Sequence, residues 1–332
     1  MHDGKAAERP DEGARRFDAW RPPEVAESPA APNAAFAAAA RTAALVAPQL
    51  GQPVRWRLRL LTDGVEPGAE LHAGPSSCPT VDPIGRGRAI TGGAVVRNLE
   101  LAIANLGHEP RVRQLPDLDN PLHLATVTMG DRDDRRPDPA ERLLHLAMPH
   151  RRSHPLPFAR RPIGVPLDGR LHEAALRGGV RTLALSGNRL RTVGTVLAAA
   201  ITDRRHGEDQ LADLADWFPA DAEGCLRACG AVLIEQLSRG ALVLLTTEAD
   251  RPPDWLRAGW ELQNAWLTAV SRGLAVSVVG GVLDAPGVRA ALATRLRLDG
   301  CPQLLLRAGW PKRADPARRE DRLLIGAGSG LR

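Results

Sequence analysis

The chain has 332 residues, a length that predicts two domains or one domain of double size. Its hydrophobic content of 43% is enough for a folded core, which excludes a chain that is disordered throughout. Of its 44 basic residues only Lys5 and Lys312 are lysines, which indicates a compositional bias toward arginine. We therefore do not interpret the net charge of +5 as a sign of nucleic-acid binding. Aromatic residues make up 3% of the chain, too few for a base-stacking surface.

The first 33 residues carry many charges and prolines without sustained periodicity, which predicts a flexible leader over 1–33 and no signal peptide. Residues 34–47 are rich in alanine and predict a helix with Asn33 as its N-cap and an end at Pro48. This run contains Arg41 and is too short to cross a membrane. We therefore expect a soluble, cytoplasmic protein with no membrane and no nucleic-acid partner.

Short strands and one long helix are predicted in the next hundred residues. Apolar residues alternate with arginines over 55–60, as in a half-exposed strand, and residues 71–73 are expected to pair with it. Apolar residues at helical spacing from Ala94 to Leu106 predict a helix that ends at Gly107. Two more strands are predicted near 111–115 and 124–129.

The charged, proline-containing stretch DRDDRRPDPAER predicts the boundary between two halves. We assign residues 34–135 to an N-terminal half, 136–149 to a linker, 150–325 to a C-terminal half and 326–332 to a tail. In the C-terminal half, strands are predicted at 180–185 and 300–309, helices at 190–201 and 285–298, and an amphipathic stretch at 211–218. Alternating strands and helices in two unequal halves predict an α+β fold with a mixed sheet in each half.

The stretch from Gly240 to Gly281 predicts the centre of the fold. Residues 241–247 are continuously apolar, as in a strand that is covered on both faces. Asp254 is the predicted N-cap of the long helix that follows. The apolar residues of this helix, its three tryptophans among them, form two stripes, so we expect it to be buried on two sides.

The spacing of cysteine and histidine predicts no metal site. The four cysteines show neither a C-x-x-C pair nor zinc-ligand spacing; they are Cys78, Cys225, Cys229 and Cys301. His150 and His154 would share a metal only on a helix, and three prolines within 149–157 disfavour a helix there.

Six segments follow one another in the order of a known family. They are AP…QP-x-RW at 47–56, VDPIGRGRAITGGAVVRNLELAIANLG at 81–107, HRRSHPLPF at 150–158, TTEADRPPDWLRAGWELQNAWLTAVSRGLA at 246–275, GCPQLLLRAGW at 300–310 and ARREDRLL at 317–324. Together they resemble the nitroreductase superfamily, specifically its Acg-type proteins, in which two nitroreductase-like halves are fused in one chain. The resemblance implies two fused halves forming an internal pseudo-dimer, with mixed sheets around long central helices, as a monomer or a homodimer.

The resemblance also implies a cofactor, FMN, bound between the two halves and reduced by NAD(P)H before a small-molecule acceptor is reduced. No catalytic side chain is assigned, because the flavin carries the reaction. In such a site Arg151, Arg152 and Ser153 approach the flavin from the C-terminal half, and Gln52 and Pro53 from the N-terminal half. Gly280 and Gly281 either let the backbone approach the ring or form a plain turn. Arg318 and Arg319 are the candidates for binding its phosphate.

Several flavin-contacting positions depart from the family pattern. The segment that begins at Ala47 lacks the family's serine and asparagine and has Val54 in place of an aromatic residue, and Pro155 replaces an arginine. These losses leave two functions open: an FMN-dependent NAD(P)H oxidoreductase, or an inactive relative that sequesters a flavin or binds another ligand. A basic nucleic-acid-binding module is the third and weakest alternative.

Overall fold

The protein is described here from a computed structural model. It covers residues 24–26, 34–45, 56–61, 66–74, 82, 84–117, 119–132, 138–154, 158–163, 179–202, 226–285 and 287–311.

The N-terminal half combines one sheet with a long buried helix. Its strands are β1 (Glu24–Ala26), β2 (Trp56–Leu61), β3 (Gly68–Ala73), β4 (His108–Gln114) and β5 (His123–Arg132), in the sheet order β1-β2-β3-β5-β4. Helix α1 (Ala34–Leu45) packs on helix α2 (Arg86–Asn105), and α3 (Pro139–Ala147) follows the sheet. The alternation predicted for β2 is confirmed, since Leu58 and Leu60 are buried and the intervening arginines are exposed.

The C-terminal half repeats this plan with more helices. Its strands are β6 (Val180–Ala184), β7 (Ala241–Thr247), β8 (Ala275–Val279) and β9 (Cys301–Gly309), in the order β6-β7-β9-β8. Its helices are α4 (Gly187–Thr202), α5 (Leu226–Ser238), α6 (Pro252–Val270), α7 (Gly281–Asp284) and α8 (Val288–Leu296). Helices α4, α5 and α8 cover one face of this sheet, and α6 lies in the core shared with the first half.

The two sheets have the same strand order. The repeated unit consists of four strands, β2 to β5 in the N-terminal half and β6 to β9 in the C-terminal half. In each unit the long central helix, α2 or α6, lies in the chain between the second and the third strand. The fourth strand then lies between the second and the third, as β5 does between β3 and β4, and β9 between β7 and β8. The protein is thus an α+β fold made of two fused halves, as predicted.

The two central helices cross at a pair of glycines. A Cβ atom placed on Gly93 of α2 would lie 1.9 Å from the carbonyl oxygen of Leu256, and one placed on Gly259 of α6 would lie 1.7 Å from that of Ile90. Gly93 and Gly259 are separated in the chain by as many residues as Ile90 and Leu256. Exchange of the two halves therefore converts one of these contacts into the other. Such reciprocity is the property of a two-fold interface, here within one chain.

Buried polar side chains extend the same reciprocity beyond the crossing. The Gln263 side-chain amide donates to Oδ1 of Asn98 at 2.7 Å, and the Arg97 guanidinium donates to Oδ1 of Asn264 at 3.2 Å. Exchange of the halves converts one of these pairs into the other. Arg97 also donates to Glu141 of α3 at 3.2 Å, so α3 is fastened to both central helices.

Four details differ from the sequence predictions. Glu24–Ala26, within the predicted leader, form β1, because the outer edge of β2 accepts a parallel partner. The described strands of the C-terminal sheet are all antiparallel, so the prediction of a mixed sheet is wrong there. Asp254 is the third residue of α6 and not its N-cap; its carboxylate accepts from the Arg251 N–H at 3.2 Å. Helix α2 begins eight residues before Ala94, because Gly85 at φ 78° and the Asp82 carboxylate, which accepts from Gly87 N–H at 3.0 Å, start it earlier.

The domain limits stay a prediction. Within the predicted linker, Ala147 at the end of α3 and Met148 directly after it pack against Leu101 and Leu267 of the central helices. None of the helices in the described ranges is both long and apolar enough to cross a membrane.

Candidate functional site

Residues 151–154 lie along the open edge of the C-terminal sheet. Ser153 forms a parallel bridge with Val276 of β8, and the His154 N–H donates to the Val276 carbonyl oxygen at 2.8 Å. The ring of His154 stacks on that of Phe158 at 5.2 Å, and Phe158 is fully buried. Since β8 is the edge strand, this pairing covers an edge that would otherwise expose backbone groups, and it fixes the direction of the segment.

Arg151 is the best-positioned cation of this segment. Its guanidinium lies 4.6 Å from the ring centroid of Trp266, a buried residue of α6. Burial, together with the neighbouring Arg152, lowers the pKa of Arg151 to about 10. The guanidinium therefore stays charged at neutral pH while being partly removed from water, and this strengthens its attraction for an anion. Arg152 and Ser153 are exposed beside it.

Trp266 itself has an unusual feature. Its side chain is 1% exposed, yet its indole N–H has no hydrogen-bond partner among the described residues. A buried indole N–H normally has an acceptor. The N–H is thus a buried donor on the tryptophan over whose ring the Arg151 guanidinium lies.

Gly280 and Gly281 lie at the far end of the same strand. Gly280 follows β8 directly and is the N-cap of α7, and both glycines are buried. Gly280 lies four residue positions after Val276 along the strand, which corresponds to about 13 Å. The predicted cofactor residues of the C-terminal half thus border β8 near both its ends and do not meet at one point.

The N-terminal half reaches this far end through Arg86, the first residue of α2. Its Nε donates to Asp284 of α7 at 2.7 Å, and its guanidinium also contacts the side chain and the backbone carbonyl of Gln303. Arg86 is 1% exposed, and burial raises the pKa of Asp284 although Arg86 opposes that shift. The two glycines therefore stand at a junction of the two halves.

Sequence reasoning did not single out Arg86, Asp284 or Gln303 as partners. The segment DPIGRGR, which contains Arg86, was among the resembling segments, but an ion pair between residues so distant in the chain leaves no local signal. Gln52, Pro53, Arg318 and Arg319 lie outside the described residues, so their assignments stay predictions.

No protein-family model matches the chain. Over 312 residues it is 28% identical to proteins provisionally named NAD(P)H nitroreductase from Mycobacterium tuberculosis strains CDC 1551 and H37Rv, and the match covers 86% of this chain and 88% of each relative.

Solved structures similar to the chain include the FMN-dependent nitroreductase NfnB of Mycobacterium smegmatis in complex with NADPH, at 12% identity and a TM-score of 0.39, covering 57% of this chain and 98% of that one. A nitroreductase with bound FMN from Bacteroides fragilis is 15% identical with a TM-score of 0.38, covering 52% of this chain and 90% of that one. The similarity to the mycobacterial relatives spans most of both proteins, and the strand order is repeated in the two halves. Along most of its length the chain is thus similar in sequence to proteins that carry the name NAD(P)H nitroreductase.

Proposed function

We propose that this protein is an FMN-dependent NAD(P)H oxidoreductase of the Acg type, with one flavin site formed by both halves. The proposal rests on the residues that border β8. Near one end of this strand the Arg151 guanidinium lies over the ring of the buried Trp266, and at the other end Gly280 and Gly281 lie where the two halves meet. When bound, FMN supplies hydride transfer between NAD(P)H and a small organic acceptor. The relatives from Mycobacterium tuberculosis carry the name NAD(P)H nitroreductase, which supports this activity.

The residues present fit such a cofactor. FMN is an elongated anion with a planar ring system, and the border of β8 offers separate features along its length. Arg151 supplies a positive charge that Trp266 holds in place, and the Trp266 indole N–H is a buried donor without a described partner. Gly280 and Gly281 carry no side chains, so a ring can approach their backbone closely.

The roles of the chain's own groups follow from these contacts. Arg151, with Arg152 beside it, would contact the flavin from the C-terminal half, and Ser153 is an exposed hydroxyl within the same segment. Arg86 would act indirectly, since its contacts with Asp284 and Gln303 fix α7, whose first residue is Gly281, against the N-terminal half. Gln52, Pro53, Arg318 and Arg319 complete the proposed site.

Purified protein tests the proposal by its visible spectrum. We expect a yellow protein, as isolated or after addition of FMN, whose absorbance near the flavin maximum is bleached anaerobically by NADH or NADPH. Arg151→Ala should lose FMN on gel filtration at least tenfold more readily, because a partly buried charge partner is removed. Arg57→Ala, on the exposed side of β2, is the matched control and should retain FMN as the parent does.

Three results would contradict the proposed function or the proposed position of the site. A protein that remains colourless with added FMN contradicts the proposed function. A yellow protein that neither nicotinamide bleaches would be an inactive flavin-sequestering relative. Equal FMN retention in Arg151→Ala and Arg57→Ala would show that the site lies elsewhere.

A further inference from the structure

A second group of ligand-type side chains lies on the other side of the N-terminal sheet. Glu70 and His72 belong to β3, and His123 is the first residue of β5. One ligand atom from each of the three side chains lies within 4.8 Å of the other two. The burial pattern of β3 places Leu71 on the inner face, against α2, and Glu70 and His72 on the opposite face. This group therefore lies on the face of the sheet opposite the central helix α2.

A β-bulge brings the two histidines together. Leu71 pairs with Ala125, so a regular antiparallel register would place Leu124 opposite His72. The register shifts between Leu71 and His72, and His72 pairs with His123 instead. The imidazole rings then stack with 4.3 Å between their centroids. Bulges of this kind redirect side chains and are frequent at functional sites.

We propose that Glu70, His72 and His123 form a binding site for a divalent transition-metal ion of the zinc class. Two imidazoles and one carboxylate are a ligand set that zinc uses when it keeps an open coordination position. A tetrahedral zinc ion needs ligand atoms about 3.4 Å apart, and the three ligand atoms here lie within 4.8 Å of one another. The Glu70 and His72 side chains are already in contact, with His72 Nε2 at 2.9 Å from Glu70 Oε2.

The hydrogen bonds around the group orient the ligands. Thr126 Oγ1 lies 3.0 Å from His123 Nε2 and Arg59 donates to Glu70 at 2.9 Å. Arg59 competes with a metal for the Glu70 carboxylate, but its side chain is 59% exposed, so it can swing into water. Arg57 of β2 is paired with His72 of β3 and adds a second positive charge. These arginines favour a metal bound mainly through its nitrogen ligands over one that binds oxygen alone, such as calcium.

Calorimetric titration with zinc chloride tests the site, using the full chain without a histidine tag after treatment with a chelator. We expect one Zn²⁺ per chain, and a loss of affinity on the order of tenfold or more in His123→Ala and in His72→Gln. Arg59→Gln should bind Zn²⁺ more tightly, because it removes the competing ion pair. His108→Ala is the control, since His108 lies in the same sheet and contacts the Gly130 carbonyl oxygen instead.

Variants are first compared by circular dichroism without zinc, and His72→Gln, at the more exposed position, serves if His123→Ala does not fold. Absence of saturable Zn²⁺ binding by the parent protein would overturn the proposal. So would equal affinity in the parent, His123→Ala and His72→Gln, because binding would then depend on other groups.

Discussion

At the scale of single residues, the central helices carry a buried acid whose charge is poorly compensated. Glu261 of α6 is 3% exposed, and one of its carboxylate oxygens has no hydrogen-bond partner in the described part of the chain. Burial raises the pKa of Glu261 from its usual 4.5 to about 7, although the nearby charge of Arg97 opposes that shift. The carboxyl is therefore protonated in the folded protein at a pH where it has ionised in the unfolded chain.

Glu261→Gln should consequently change how stability depends on pH. Between pH 4.5 and 7 the folded parent holds a proton that the unfolded chain has lost, so its free energy of unfolding falls as pH rises. The neutral amide removes this fall, and the variant should gain on the parent by up to roughly 3 kcal/mol above pH 7. Urea unfolding at pH 5 and pH 8 measures the difference. The same pH dependence in both proteins would show that Glu261 ionises normally.

Single residues were also the level at which sequence was least informative. The resemblance predicts a role for Arg151, and the absence of side chains predicts one for Gly280 and Gly281; all three lie along the border of β8. The contacts of Arg86 with Asp284 and the grouping of Glu70 and His72 with His123 were not predicted. Each joins residues far apart in the chain, and the second depends on a bulge whose position no local pattern reveals.

At the scale of secondary-structure elements, the crossing of α2 and α6 depends on two glycines that no side chain can replace. The helix backbones approach so closely that a methyl group on Gly259 would overlap the Ile90 carbonyl group. Backbone atoms of two packed helices cannot move aside without separating the halves. The contact thus fixes the distance between α2 and α6, which meet at the centre of the shared core.

Gly259→Ala should destabilise the protein strongly despite the higher helix propensity of alanine. We expect a loss of about 3 kcal/mol or more, as for overpacked cores. Gly230→Ala is the control, because Gly230 lies in α5 and its added Cβ would meet, among the described residues, the Ala198 methyl group at an ordinary 3.6 Å. That change should be neutral or stabilising by about 1 kcal/mol. Similar thermal unfolding temperatures for the two variants would contradict the close crossing.

Element type was largely predictable, because periodicity is a local property. The alternation in β2 and the apolar run of β7 predicted strands that the structure confirms. Boundaries were less predictable where capping decides them. Helix α2 begins at Arg86 because Gly85 adopts a left-handed conformation and the Asp82 carboxylate caps the helix. Helix α6 begins at Pro252, so Asp254 is its third residue and caps it from within the first turn.

At the scale of the whole molecule, the two halves share a strand order and make reciprocal contacts with each other through their central helices. The repeated strand order relates the two sheets. The reciprocal glycine contacts and the two reciprocal pairs of polar side chains relate α2 to α6. Resemblance predicted this arrangement, whereas hydrophobic pattern alone did not, because the two halves are unequal in length and dissimilar in sequence.

The divergence of the halves predicts a single flavin site. In the C-terminal half, β8 is followed by the buried Gly280–Gly281 pair. In the N-terminal half, the matching strand β4 is followed by Leu115, a non-glycine residue at φ 44°, and then by Pro116. A proline lacks the backbone N–H that a ring could approach. The symmetry of the fold would allow two sites, and the residues at the strand ends differ enough to favour one.

The stoichiometry of FMN binding tests this account most directly. Apoprotein titrated with FMN in a calorimeter should bind one FMN per chain, with the chain concentration fixed independently by amino-acid analysis. Two FMN per chain would contradict the divergence of the halves, and no binding would contradict the flavin site itself.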